Sequence, residues 1–439
     1  MDLGTNDVDE VTRNRLYRRG IGLAWFVGGA WRIIVLISKW HVPLKLNDSL
    51  YYSIQAYNNA RGHWFKEAGG AAFQYWGVRP GAEHPPLTSI VITPASLLPN
   101  PEFWQRATMT LIGIALIPLI AMLGRRIGGR VVGVLSATIA AAYPNIWLSD
   151  GLIMSESLLL LAVVIVLLLA LRHRDRFDYR SALVLGVAIG VAGHARSEVL
   201  MFAPLLALVG YRSHDLVRWL KTGVTVLVAT GITVLPWIVF NTSRFDTVVL
   251  MSTNEGTTWL GANCPDAYYG AGLGGWSLNC LIEANPPADE NTAARSIRRR
   301  HEAFSYANAH RSRLPAVAVA RVLRAADLFG LNNLVHGDEG EERPGWGIWA
   351  GIVSWWFLAP IAAVGIWRLR RGVRYVVVVP AITVLIVTVM FYGAHRLRAP
   401  IEPVVVVGAA SLLASTGSVR RFVCLLVRRA VSRAVSAQP

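Results

Sequence analysis

Charge is what this sequence has least of. Asp, Glu, Lys and Arg together make up 16% of its 439 residues, against roughly 25% in a soluble domain. With 54% hydrophobic residues and a mean hydropathy of +0.42, that shortage excludes a water-soluble enzyme and describes an integral membrane protein. Acids are outnumbered by bases, 27 to 43, for a net charge of +16. A nucleic-acid partner would need a basic stripe or an RNA-binding motif, and the sequence has neither. Residues 1–19 are polar and basic and lack a cleavable signal pattern, so the first apolar run reads as a retained anchor. Internal repeats and low-complexity tracts are also missing. Of three cysteines, only Cys264 and Cys280 lie in a polar segment. They form a plausible disulfide if that segment faces an oxidising compartment, and two unpaired thiols otherwise. Cys424, in the last apolar and basic stretch, reads as structural.

Long apolar runs are what the chain has instead. They cover residues 20–38, 106–124, 131–148, 157–171, 181–193, 198–211, 220–240, 346–367, 375–392 and 401–417, which predicts about ten transmembrane helices. The arginine-rich segments at 13–19, 125–130, 172–180, 211–221 and 368–374, and the tail from Val419, alternate with these runs. The short runs 181–193 and 198–211 could instead be one long broken helix, but the positive-inside rule fits best when this region crosses twice, which puts both termini in the cytoplasm. Residues 39–105, 149–156, 194–198, 241–345 and 395–403 fall on the outer face. The predicted organisation is an N-terminal tail (1–19), a transmembrane module (20–240) with a first outer loop (39–105), a large outer loop (241–345), C-terminal helices (346–417) and a basic tail (418–439). Residues 87–99 are too short to span and predict an interfacial helix. The first half of the large loop reads as an irregular glycine-rich stretch, and its basic second half as a helix on the membrane surface.

Ionisable residues at membrane depth are costly, so a cluster at span ends points to function. The outer face gathers Asp48, Glu83, His84, Asp150, Glu156, Arg196, Glu198, Arg396, Arg398 and Glu402. Arginines offer paired donors to a phosphate, and a carboxylate can take a proton from a nucleophile. Structural readings stay open beside these. Asp48 would N-cap a helix starting near Ser49; Glu156 would cap the span after it. His84, before two prolines, would be a solvated turn residue, and Arg196 and Arg398 would be snorkelling span-end residues.

The order of the pieces resembles the GT-C glycosyltransferases. It runs from Asp48 followed by Tyr51 and Tyr52, through HPPL at 84–87, an SE turn, an RSE turn and LGAN at 260–263, to HRLRAPIEP at 395–403. The protein O-mannosyltransferases, the lipid A aminoarabinose transferases and the family 39 or RgtA/B/C/D-like bacterial sugar transferases are the look-alikes. The resemblance implies an all-α polytopic membrane protein that moves a sugar from a polyprenyl-phosphate donor to an extracytoplasmic glycan, lipid or protein, with the active site on the outer face of the plasma membrane. It implies catalytic roles for Asp48 and Glu156. Donor phosphate would bind His84, Arg196, Arg396 and Arg398, and substrate would bind Tyr51, Tyr52, Glu83, Asn263 and Glu402. Many relatives pair two acids in the first loop where this chain has Asn47-Asp48, which argues against an essential metal cofactor. Two other function classes stand beside the enzyme: a lipid-carrier flippase, favoured by mid-span charges and matched halves, and a non-catalytic scaffold.

Overall fold

The computed structural model describes residues 3–45, 47–67, 79–210, 215–283, 287 and 290–417. Among them the secondary structure is helical, apart from one isolated bridge between Lys66 and Pro80. Among the described residues seven helices are long and apolar enough to cross a membrane: Arg13–Ser38, Pro101–Ala142, Glu156–Arg176, Leu216–Thr242, Gly345–Trp367, Arg371–Met390 and His395–Ser415. The chain is a multi-pass membrane protein.

The difference between ten apolar runs and seven long helices has two physical causes. The runs 106–124 and 131–148 share the helix Pro101–Ala142, which is broken at Gly129 (φ 85°, ψ −171°). Glycine tolerates that backbone and lets the chain double back. The two halves then pack through small residues: a Cβ on Gly124 would lie 2.4 Å from Ser136 Oγ. The runs 181–193 and 198–211 become Tyr179–Gly193 and, after a 3-10 turn, Phe202–Ala207, both shorter than a span needs.

Contacts sort the loops onto two ends of the bundle. At one end Arg126 pairs with Asp175, Arg130 with Glu10, and Arg125 lies over the Tyr17 ring. At the other, Lys39 Nζ donates to the Glu342 carbonyl (2.7 Å), the Thr253 amide to Ala82 (2.7 Å) and Arg244 to Phe65 (2.7 Å). The first and large loops therefore form one layer. Residues 87–99 fold as the helix Leu87–Ile92 followed by a 3-10 turn that starts at Pro94.

The glycine-rich half of the large loop is more regular than its composition suggests. It holds the helix Glu255–Ala262, and Cys264 is bonded to Cys280. The basic half forms Thr292–Ala309, capped by Asn291, and packs on Glu255–Ala262. Its arginines face carboxylates: Arg298 meets Glu283, Glu290 and Glu302, while Arg300 meets Glu255. Leu314–Ala325 and Leu331–Gly340 complete the loop. The tail 418–439, with Cys424, lies outside the described residues.

The two most enclosed spans are His395–Ser415 and Glu156–Arg176. Val404, Val406 and Val407 share one core cluster with Leu159, Val163, Val166, Leu116 and Ile120. Burial of this kind contributes roughly 25 cal/mol per Å² of apolar surface. Both spans start at the loop end of the bundle. Their first residues, Glu156 and His395 to Glu402, are thus held under the loop layer by the best-packed helices in the chain.

Candidate active site

Asp48 opens the helix Asp48–Ala60, but it is not the cap. Asn47 is: its Oδ1 accepts the Ser49 amide at 2.8 Å, and its Nδ2 donates to the Gly340 carbonyl at 3.1 Å. The capping expectation for Asp48 is corrected by this geometry. A short amide at position 47 satisfies the helix end, so the Asp48 carboxylate is free to leave the helix. It meets Arg396 Nη2 at 2.8 Å and His84 Nε2 at 3.5 Å. Its side chain keeps 31% exposure, the widest opening in the cluster. Burial alone would raise the Asp48 carboxyl; the charges of His84 and Arg396, and hydrogen bonds from both, hold it well below the usual carboxylate range.

His84 is not a solvated turn residue. Its ring lies between those of Tyr51 (4.9 Å between centroids) and Tyr52 (5.0 Å), and its backbone amide points at the Tyr51 hydroxyl. The two tyrosines therefore set the imidazole over Asp48. Glu83, next in chain, faces Arg295 at 4.0 Å, and burial raises its carboxyl despite His84 and Arg295 nearby.

Arg396 is the hub. Besides Asp48 it contacts Glu156 Oε1 (Nε, 3.3 Å) and Glu341 (Nη1). Glu156 is buried in the first turn of its span, where an acid suits the helix dipole. It also contacts Arg196 at 3.4 Å, and Arg196 holds Glu198 at 2.6 Å. Arg196 is thus half-buried and ion-paired rather than snorkelling. Asp48, His84, Glu156, Arg196 and Arg396 converge on one half-open spot.

Arg398 lies one layer deeper. With 2% side-chain exposure it binds Asp327 Oδ2 and Glu402 Oε1, both at 2.7 Å. Glu402 accepts from the Tyr143 hydroxyl at 2.7 Å. His395 is held between Asp327 (Nδ1, 2.9 Å) and Asp338 (Nε2, 2.6 Å). Both ring nitrogens face carboxylates. A cavity of about 40 Å³ separates the two networks, lined by Glu156, Arg343, Arg396, Arg398 and Glu402 among others; a polar space of that size accommodates water.

Two residues of the expected set lie elsewhere. Asn263 Oδ1 accepts from Tyr268 (2.9 Å) and Arg321 (3.2 Å), so its amide is engaged inside the large loop. Asp150 pairs with Arg32 of the first span at 2.7 Å and accepts from Ser157, buried away from Asp48. Sequence reasoning missed Asp327, Asp338, Glu341 and Arg343. The only signal for the last three was HGDEGEER at 336–343, with four acids in five residues from Asp338 to Glu342, in a loop read only for its glycines and arginines; Asp327 had none.

No family model and no curated protein sequence matches the chain. Its fold is similar to the archaeal oligosaccharyltransferase AglB from Archaeoglobus fulgidus, solved with an inhibitory peptide and a dolichol-phosphate. The TM-score is 0.56 at 14% identity, over 97% of this chain and 52% of that one. It is also similar to ArnT from Cupriavidus metallidurans bound to undecaprenyl phosphate, with a TM-score of 0.56 at 16% identity, over 92% of this chain and 63% of that one. The chain spans about half the length of AglB and under two-thirds of ArnT. At such identities the likeness establishes architecture alone: the chain has the GT-C fold of membrane glycosyltransferases.

Proposed function

We propose that this chain is a membrane glycosyltransferase that moves a sugar from a polyprenyl-phosphate donor to an extracytoplasmic hydroxyl of a glycan, lipid or protein. The observation that supports it best is the meeting of Asp48 and Arg396, 348 positions apart, at the half-open mouth of a GT-C fold. Polyprenyl phosphates are the ligands of both structural neighbours. The acid and the guanidinium supply the two things the reaction needs.

In the mechanism we propose, the acceptor oxygen attacks the anomeric carbon while Asp48 takes its proton. The bond from that carbon to the phosphate oxygen breaks, and the polyprenyl phosphate leaves with the electron pair. Direct displacement inverts the anomeric centre. Arg396 and Arg196 stabilise the charge that grows on the leaving group, a role usually worth several kcal/mol. Arg396 also links binding to basicity. A phosphate that draws Arg396 away from Asp48 removes one of the charges that hold its carboxyl low, so the base strengthens when the donor arrives. Glu156 sets Arg396 and Arg196 in place from the buried side. Every carboxylate of the site faces a guanidinium, a donor set suited to an anion rather than to a divalent cation that wants several unopposed oxygens, and no step here needs a metal.

The test is transfer from a panel of radiolabelled polyprenyl-phosphate sugars in membranes containing the full chain. Label moving from lipid to an acceptor fraction supports the reading. A chain that folds and inserts, yet consumes no donor in the panel, would turn attention to the carrier-flippase alternative.

A further inference from the structure

Glu341 is an unexpected third acid on Arg396. Its Oε1 bonds Arg396 Nη1, and its Oε2 is buried 3.5 Å from Arg343 Nη1 without a well-aligned hydrogen bond. The turn that carries it is clamped to the first loop. Asn47 donates to the Gly340 carbonyl (3.1 Å), Lys45 to Glu339 (2.5 Å) and Lys39 to Glu342 (2.7 Å), and Arg106 binds the Glu342 carboxylate at 2.7 Å. The backbone is thereby held at Glu339, Gly340 and Glu342, on both sides of Glu341, and none of these contacts uses the Glu341 side chain.

We infer that Glu341 is a resident stand-in for the donor's phosphate: its carboxylate occupies the anion position between Arg396 and Arg343, and the phosphate takes that position as Glu341 gains a proton. The inference rests on the donor reading above and adds how that donor is admitted. Two guanidiniums flank the position, which is the arrangement that recognises a phosphodiester. A phosphate added beside an ionised Glu341 would set two anions against one pair of cations. Neutralising the acid removes the conflict.

The surroundings fit that role. Burial raises the Glu341 carboxyl; Arg396 and Arg343 oppose the rise, while Asp338 from its own turn and Glu156 from the central span add to it. Tyr392 also faces it, and beyond Arg396 lie Asp48 and His84. The sign follows by linkage. A phosphate raises the Glu341 carboxyl further, so donor binding takes up protons, strengthens as pH falls through the bound-state value, and levels off below the free-state value.

The experiment measures binding of a polyprenyl methyl phosphodiester, whose single charge does not titrate between pH 5.5 and 8.5, to the full chain in nanodiscs. The unaltered chain, Glu341→Gln and Glu341→Asp are compared. The inference expects Glu341→Gln to bind about tenfold tighter than the unaltered chain at pH 8, the scale of one nearby charge, with a shallower pH dependence. Glu341→Asp keeps the slope. Every other titrating group is common to all three, so the difference between profiles isolates Glu341. Titration calorimetry of the unaltered chain in two buffers of different ionisation enthalpy counts the protons directly, and needs no variant to fold. Equal affinity and equal slope for Glu341→Gln, or no proton uptake by the unaltered chain, overturns the inference and leaves the donor reading standing. If no folded protein binds the diester at any pH, the donor reading itself fails and this inference with it.

Discussion

Arg396 and Arg398 are two residues apart and live in different worlds. Arg396 keeps 15% of its side chain exposed and faces three acids, Asp48, Glu156 and Glu341, with its Nε lacking a well-aligned partner. Arg398 is closed off and bonded to Asp327, Glu402 and the Ala325 carbonyl. The cause is local. Residues 395–401 form a 3-10 helix, in which three residues make a turn, so positions 396 and 398 point to different sides. The same ingredients, a guanidinium and carboxylates, make a half-open cluster where contacts are incomplete. Where each acid is paired and the guanidinium is shut off from solvent, they make a strut.

Replacing each arginine separates the two roles. Arg396→Gln should lower sugar transfer at least about 100-fold, the scale seen when one preorganised donor is removed from a transition state, with a melting temperature close to the unaltered chain. Arg398→Gln should do the reverse. It strands Asp327 and Glu402 without their cation, a loss of about 3–5 kcal/mol for a buried pair broken on one side, visible as a large drop in melting temperature in detergent. If Arg398→Gln melts normally and loses only transfer, the strut assignment is wrong.

Next in size is the disulfide. Cys264–Cys280 closes a segment with a sequence separation of 16, which the loop-entropy model values at about 3 kcal/mol. A Cys264→Ser/Cys280→Ser chain should show earlier protease nicking within 255–283, while the spans stay intact. Nicking that starts in the spans instead would mean that the bond supports the bundle and not the loop.

The smallest effect concerns acid. Burial would raise the Asp327 and Asp338 carboxyls, but Arg398 and His395 hold the first below its usual range, and Arg343 and His395 hold the second below it. Acids depressed in the folded state stabilise it fully above their unfolded value, about 3.9, and that stability drains as pH falls from there through the folded values. Melting temperature should therefore hold level down to about pH 4 and fall below it, and Asp327→Asn should blunt the fall.

Much of this was legible in the sequence. The apolar runs mark the helices, and Asp48, His84, Glu156, Arg196 and Arg396 were picked out because charge at span ends is costly. The arginine-rich break at 125–130 separates the runs 106–124 and 131–148, and the backbone reversal at Gly129 lies inside that break. Asn47 looked like a missing acid and turned out to be a cap. Glu341, Asp338 and Asp327 were not legible. They reach the site from a loop with no periodicity, and only tertiary contacts such as Lys39 to Glu342, 303 positions apart, bring them in.

The most direct measurement compares sugar transfer by the unaltered chain and by Asp48→Asn in membranes at equal expression, with donor binding measured in parallel. Asparagine keeps the shape and removes the base, so the account predicts transfer reduced by about two to four orders of magnitude while the donor still binds. Transfer by Asp48→Asn at the unaltered rate would contradict it, and would leave Asp48 as a counter-ion to Arg396.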